Sequence, residues 1–199
     1  MTSNMKFDAI IMYCINGWDQ LPKEVRDSIK KRVAEGTGLV IIHPFTGERN
    51  EGKNRASNLW EISPLVYCLS DWVDPSDGYP RINWKALAQD NWIIARDHYI
   101  TRNVVLTGMP FDHMYFYKYE LANDAEALIV SSKGNYPILT VKNYGKGRVV
   151  AFAYREIGII PYVDENVQYE IPWEHFYSLL IRAIIWAAKR EPKIYISKI

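Results

Sequence analysis

The sequence predicts an α/β fold with a mainly parallel sheet, completed by a β-hairpin and a C-terminal helix. Three observations carry that expectation. An apolar run, an amphipathic run and a second apolar run follow one another within residues 7–43. A turn containing Gly145 and Gly147 separates two short β-type runs. A segment with a wide apolar face, Pro172 to Arg190, closes the pattern.

Phe7 to Ile15 is apolar apart from Asp8 and is bounded by Asn16-Gly17. That is the signature of a short strand buried on both faces. From Leu21 to Glu35 the residues Leu21, Val25, Ile29 and Val33 recur every four positions, with Lys and Arg between them. This is an amphipathic helix, with Pro22 suited to its first turn and Gly36 just past its end. Gly38 to His43 contains Leu39-Val40-Ile41-Ile42, a second fully apolar strand. Strand, helix, strand at this spacing is a βαβ unit with parallel strands and a right-handed crossover. Asn54 to Trp60 reads as a short helix, and Ser63 to Asn83, with Pro64, Pro75, Gly78 and Pro80, as a long ordered excursion. Asn91 to Arg96 reads as a strand. Met114–Leu121, Ala127–Ser131, Pro137–Val141 and Arg148–Ala153 are further strand candidates, the last two joined by the hairpin turn Asn143-Tyr144-Gly145-Lys146-Gly147. Gly145-Lys146-Gly147 lacks the following helix that a phosphate cradle needs, so it reads as a turn. In the closing helix Phe176, Leu179, Leu180, Ala183, Ile184 and Ala187 form the apolar face, and Pro192 stops it.

Composition bounds the function. The chain has 199 residues, 48% hydrophobic and 24% charged, which suits a globular protein and excludes a disordered or collagen-like one. No repeat or linker is present, so residues 1–199 are expected to form one domain. A net charge of +1 gives no basis for nucleic-acid binding. No apolar run approaches the roughly 20 residues that cross a bilayer, so no membrane partner is expected. Cys14 and Cys68 are too few for a disulfide framework, and the N-terminus lacks a secretory core. A cytoplasmic location is the expectation. Aromatic residues are the one skew, at 14%.

Phe7-Asp8-Ala9-Ile10-Ile11, Val33 to His43, His98-Tyr99-Ile100-Thr101, Asp112-His113-Met114-Tyr115, Gly145 to Phe152 and Ala183 to Ala187 occur in an order that resembles the class I glutamine amidotransferase-like superfamily. Within it the sequence is most similar to the branch holding ThuA-like (trehalose-utilisation) proteins and the trimerisation domain of bacterial β-galactosidases. The resemblance implies a flavodoxin-like three-layer α/β/α sandwich. Such domains usually begin with a further strand–helix–strand unit. Only six residues precede Phe7 here, so either a longer protein or a sheet lacking its first strands is expected. A truncated sheet would expose apolar surface and favour a homo-oligomer.

The resemblance also implies where chemistry would be found. Working amidotransferases carry a nucleophilic Cys at a tight strand-to-helix turn. Ile41-Ile42-His43-Pro44 matches that place, and His43 stands where the Cys would be. Their His and Glu follow a late strand. Here Tyr154-Arg155-Glu156 keeps Glu156 and puts Tyr154 at the His position. Without thiol and base, glutamine hydrolysis is not expected. Ligands of open α/β sheets bind at strand carboxyl ends. That nominates His43, Glu156 and Tyr154 for acid–base work, and Tyr13, Asn16, Gly17, Trp18, Pro44, Glu48 and Arg155 for binding. A sugar-like ligand suits the loop aromatics Trp18, Trp60, Trp72 and Tyr79, which stack on sugar faces or else roof the sandwich. Arg96, Asp97 and Arg102 flank His98 and either supply polar contacts or are solvated. Cys14 precedes the loop that matches the family's oxyanion-binding segment, which argues against it as a nucleophile. His43, His98, His113 and His175 show no metal-ligand spacing, and neither a metal nor another cofactor is expected. The alternative to a binding or catalytic protein is a non-catalytic assembly domain of a larger glycoside-processing enzyme.

Overall fold

The structure is a computed structural model. It describes residues 6–13, 18, 21–42, 61–68, 72–73, 81–82, 91–106, 116, 118–154 and 172–192, with backbone alone for 67–68, 72–73, 81–82 and 172–176. The elements in chain order are β1 (Ala9–Tyr13), α1 (Lys23–Glu35), β2 (Gly38–Ile42), β3 (Leu65–Cys68), β4 (Trp72–Val73), β5 (Arg81–Ile82), β6 (Trp92–Ile94), β7 (Tyr119–Leu121), β8 (Ala125–Ser131), β9 (Pro137–Tyr144), β10 (Gly147–Phe152) and α2 (Pro172–Ala187).

Six strands form one sheet in the order β1-β2-β10-β9-β8-β6. β2 pairs in parallel with β1 and with β10, whereas β10–β9, β9–β8 and β8–β6 are antiparallel. Four strands, β1, β2, β8 and β10, therefore run the same way, but the parallel ladder is confined to β1, β2 and β10. The rest is antiparallel: β8–β9 and β9–β10 follow one another directly, and β6 pairs with β8 across residues 95–124. β3–β7 and β4–β5 form two further antiparallel pairs.

All five residues of β2 are buried, as its unbroken apolar run requires. Its alternate side chains separate two cores. Leu39 and Ile41 pack with Ile29 and Val33 of α1, and with Val149 and Ala151 of β10. Val40 and Ile42 pack with Leu179, Ala183 and Ala187 of α2, and with Val150 and Phe152. One helix thus covers each face of β2 and β10. Gly38 permits the close approach of α2, because a Cβ there would lie 2.4 Å from the Ala187 carbonyl carbon and oxygen.

The β9–β10 turn packs on the end of α1. Tyr144 and Gly147 pair across a two-residue loop, with Gly145 at φ +58°. The Lys146 N–H donates to the Ala34 carbonyl at 2.8 Å, so it is spent on the helix end. Gly147 would drive a Cβ to 2.1 Å from the Val33 carbonyl oxygen. Glycine is needed here because backbone meets backbone.

Several boundaries differ from the sequence reading. β1 is shorter than Phe7–Ile15 and is not buried on both faces: Ile11 is 50% and Tyr13 45% exposed. The reason is its place at the edge of the sheet, while α2 packs over β2 and β10. α1 starts at Lys23, with Pro22 in an extended conformation before it. The 63–83 excursion contains three short strands. Only Tyr119–Leu121 of the 114–121 candidate lies in a strand, and residues 114–115 fall outside the described residues. β9 runs on to Tyr144 because β10 pairs with it up to the turn. α2 ends at Ala187, where Lys189 takes φ +57° and the Lys189 and Arg190 N–H groups donate to Trp186 and Ile185 carbonyls, a Schellman-type stop. The short helix read at 54–60 lies outside the described residues. No helix among the described residues is long and apolar enough to cross a membrane.

Candidate functional site

The topology points to one end of the sheet as the candidate site. β1 leads into α1, which packs on one face of the sheet, and β10 precedes α2, which packs on the other. Between them lies β2, in parallel register with both. Where neighbouring parallel strands send their connections to opposite faces, the chain parts and a ligand can reach the strand ends. The register brings Tyr13 of β1 beside Ile42 of β2, and Ile42 beside Phe152 of β10. His43 follows Ile42 directly in the sequence.

Three of the nominated residues are described. Tyr13 lies at the carboxyl end of β1, 45% exposed. Trp18 is fully buried, packed with Met12, Val33, Leu65 and Tyr119 beneath the α1 face. Its ring roofs the core and offers no face to a sugar. Tyr154 is also buried, on the opposite, α2 face, against Trp92 (ring centroids 4.5 Å apart) and Phe152 (5.6 Å). Burial holds its hydroxyl far above the ordinary tyrosine range. The phenol is therefore neutral at physiological pH and can donate a hydrogen bond but cannot act as a base. The structure brings Tyr13 and Tyr154 to the same end of the sheet and separates Trp18 from Tyr154 by the sheet itself. His43, Glu156, Asn16, Gly17, Pro44, Glu48 and Arg155 lie outside the described residues, as do Cys14, Trp60, Tyr79 and His113.

A concave region lies at the opposite end, beyond the carboxyl end of β6. It is an open groove of about 470 Å³ lined by Ile94, Arg96, Asp97, Thr101, Arg102 and Val104, among others. Arg102 makes a two-pronged contact with Asp97, both N···O distances 3.3 Å, and Arg96 approaches Glu126 at 3.8 Å. These guanidinium groups are half-exposed or more and already matched by carboxylates. Beside the groove, the His98 Nδ1 accepts the Ile100 N–H at 3.2 Å, and its ring meets Trp186 edge-on at 5.0 Å. Burial lowers the His98 pKa, and Arg148 lowers it further, against Glu126, Glu191 and Asp97. With Nδ1 used as an acceptor, His98 is held neutral and its ring is anchored to its own loop. Among the described residues no group of three His, Cys, Asp or Glu side chains could hold a metal ion.

One polar residue escaped the sequence reading. Lys142, in the apolar run of β9, has a buried side chain and reaches Asp124 at 3.0 Å and the Glu61 carbonyl at 3.3 Å. A lysine between Val141 and Asn143 was the only available signal. Its two contacts tie the 61–65 segment to the sheet below Trp18.

No family model and no curated protein matches the sequence. Solved structures do resemble it. A cytoplasmic protein from Salmonella typhimurium LT2 shares 18% identity, with a TM-score of 0.53, over 91% of this chain and 72% of that one. A β-galactosidase from Bacillus circulans sp. alkalophilus shares 14% identity and a TM-score of 0.49, over 89% of this chain and 22% of that one. A ThuA-like protein from Parabacteroides merdae shares 17% identity and a TM-score of 0.48, over 96% and 74%. At such identities the Salmonella likeness establishes a common fold and nothing about activity.

Proposed function

We propose that residues 1–199 form one flavodoxin-like three-layer domain of the glutamine amidotransferase-like superfamily that lacks glutaminase chemistry and takes a sugar-like small molecule at the strand carboxyl ends. The observation that supports the reading is that α1, after β1, and α2, after β10, cover opposite faces on either side of β2, the strand that His43 follows in the sequence. His43 and Glu156 are the acid–base pair. An imidazole with an ordinary pKa near 6.5 can accept and return a proton at neutral pH. Tyr154 contributes as a neutral hydroxyl under the site. Tyr13 presents a half-exposed ring at its rim, and Asn16, Gly17, Pro44, Glu48 and Arg155 supply the polar and backbone contacts. The cytoplasm is the proposed compartment.

A thermal-shift screen with mono- and disaccharides and sugar acids tests this, on the wild type and on His43→Ala. A ligand that binds only the native state raises Tm by mass action. A rise of several degrees at millimolar ligand, lost in His43→Ala, is expected. A full set of sugars without effect, or a shift untouched by His43→Ala, would contradict the reading.

A second reading, a non-catalytic assembly domain of a larger glycoside-processing enzyme or a homo-oligomer, draws on one observation. Phe7, Ile11 and Tyr13, before and within β1, are about half-exposed.

A further inference from the structure

His98 immediately precedes a turn at residues 99–103. Its backbone carbonyl accepts the Thr101 N–H at 3.0 Å and the Arg102 N–H at 2.8 Å. Its side chain caps the same turn, because Nδ1 accepts the Ile100 N–H at 3.2 Å. Asp, Asn and Ser oxygens commonly make this bond to the amide two residues ahead. An Asn oxygen accepts at any pH, whereas an imidazole nitrogen accepts only while it is unprotonated. A proton on Nδ1 sets N–H against N–H, at an amide whose residue is fully buried.

The neighbours of the ring also oppose that proton. His98 meets Trp186 of α2 edge-on, with centroids 5.0 Å apart. The Arg148 guanidinium of β10 already lies over the same indole, 4.8 Å from its centroid, and donates to the Trp186 carbonyl at 2.9 Å. Glu191 pairs with Arg148 and holds it there. An imidazolium therefore meets a fixed like charge across one indole. Among the described residues, Asp97 of the same loop, Glu126 of β8 and Glu191 beyond α2 favour the charged ring, and burial with Arg148 outweighs them. The other cations nearby are engaged: Arg102 with Asp97, Arg96 with Glu126, and Arg182 of α2 with the Arg102 carbonyl.

The capped turn is also a wall. Thr101 and Arg102 line the groove beyond β6. Ile100 sits in the α2-face core, so a turn without its cap loosens at its start but is not expelled.

We propose that His98 is an acid-released latch: a proton taken from solvent onto Nδ1 breaks the cap on Ile100, parts the ring from Trp186 and frees the groove wall at residues 99–102.

Amide hydrogen exchange on the full chain tests it between about pH 7.5 and 4.5, corrected for the intrinsic effect of pH, on the wild type and on His98→Asn. In the wild type, Ile100 protection is expected to fall several-fold with acid. His98→Asn keeps a capping oxygen without a titrating group, so its Ile100 protection should not follow pH. Amides of β2, β9 and β10 should stay protected in both proteins, which separates local release from unfolding. The wild type alone offers a second measurement: the His98 ring signals and the Ile100 amide shift should titrate with one midpoint, below about 6.5. Four outcomes would overturn the proposal: Ile100 protection that ignores pH, a fall that persists in His98→Asn, sheet amides that lose protection in parallel, or separate midpoints for ring and amide.

Discussion

The two edges of the six-stranded sheet are built differently. β6 is three residues long, and the chain beyond it carries Arg96 and Asp97, with Arg102 and Glu126 paired to them. β1 is five residues long, and the residues between Ala9 and Tyr13 carry no charge. Both edges expose apolar side chains to a similar degree, Ile93 at 46% and Ile11 at 50%. Shortness and flanking charge are how proteins keep an edge from pairing. β6 has both, whereas β1 is longer and has its flanking charge at its foot, where Asp8 pairs with Arg190. Among the described residues, similar exposure therefore goes with different protection at the two strands.

The largest expected effect would remove the β6 side of this contrast. Trp92, the first residue of β6, is buried against Tyr154. Trp92→Ala should cost about 4 kcal/mol, measured by urea unfolding, because it leaves a large cavity in the α2-face core. The β1 side is more exposed to backbone crowding than to cavities. Gly38→Ala places a methyl group against the Ala187 carbonyl and pushes α2 from the base of β2. A cost of about 3 kcal/mol is expected, with early loss of protection at Ile10 and Met12. The sharpest comparison pairs two similar substitutions. Ile11→Lys and Ile93→Lys, at half-exposed positions of the two edge strands, should each stay within about 0.5 kcal/mol. A clearly larger cost at Ile11 alone would show that the two edges differ in what covers them.

The smallest effect is one of pH. The folded state holds the His98 pKa below its ordinary value, with burial the main cause, so the unfolded chain takes up the proton first as pH falls. Its contribution to stability is complete above about pH 6.5 and is lost as pH falls through the lowered folded value. Glu126 on β8, Arg148 on β10, Glu191 beyond α2 and Asp97 of the same loop are the charges that bear on it. Urea midpoints measured between pH 7.5 and 5 should decline, and His98→Gln should flatten that decline.

Much of the fold was legible in the sequence because its signals are local. The β2 run Leu39 to Ile42, the four-residue period of α1 and the glycine turn at 145–147 each depend on neighbours in sequence, and each appears as expected. What was not legible depends on partners far along the chain. Nothing in Ile10-Ile11-Met12 says that α2 covers β2 and β10 while Ile11 stays half-exposed. β4 and β5 have two residues each, too few to show a period. Trp18 looks like any loop aromatic, and only its contact with Leu65 and Tyr119 makes it a core residue. Tyr154 occupies a strand-end position that suggested chemistry, and its burial against Trp92 could not be read from Ala153-Tyr154-Arg155. The candidate site was legible only as a position: the residue after an apolar strand flanked by two parallel partners.

That position carries the account. The saccharide that raises Tm most should be titrated into isotopically labelled protein while backbone amide signals are followed. The account predicts shifts gathered at Tyr13, His43 and residues 154–156, around the carboxyl end of β2. Shifts gathered instead at residues 94–104, in the groove beside His98, would contradict it.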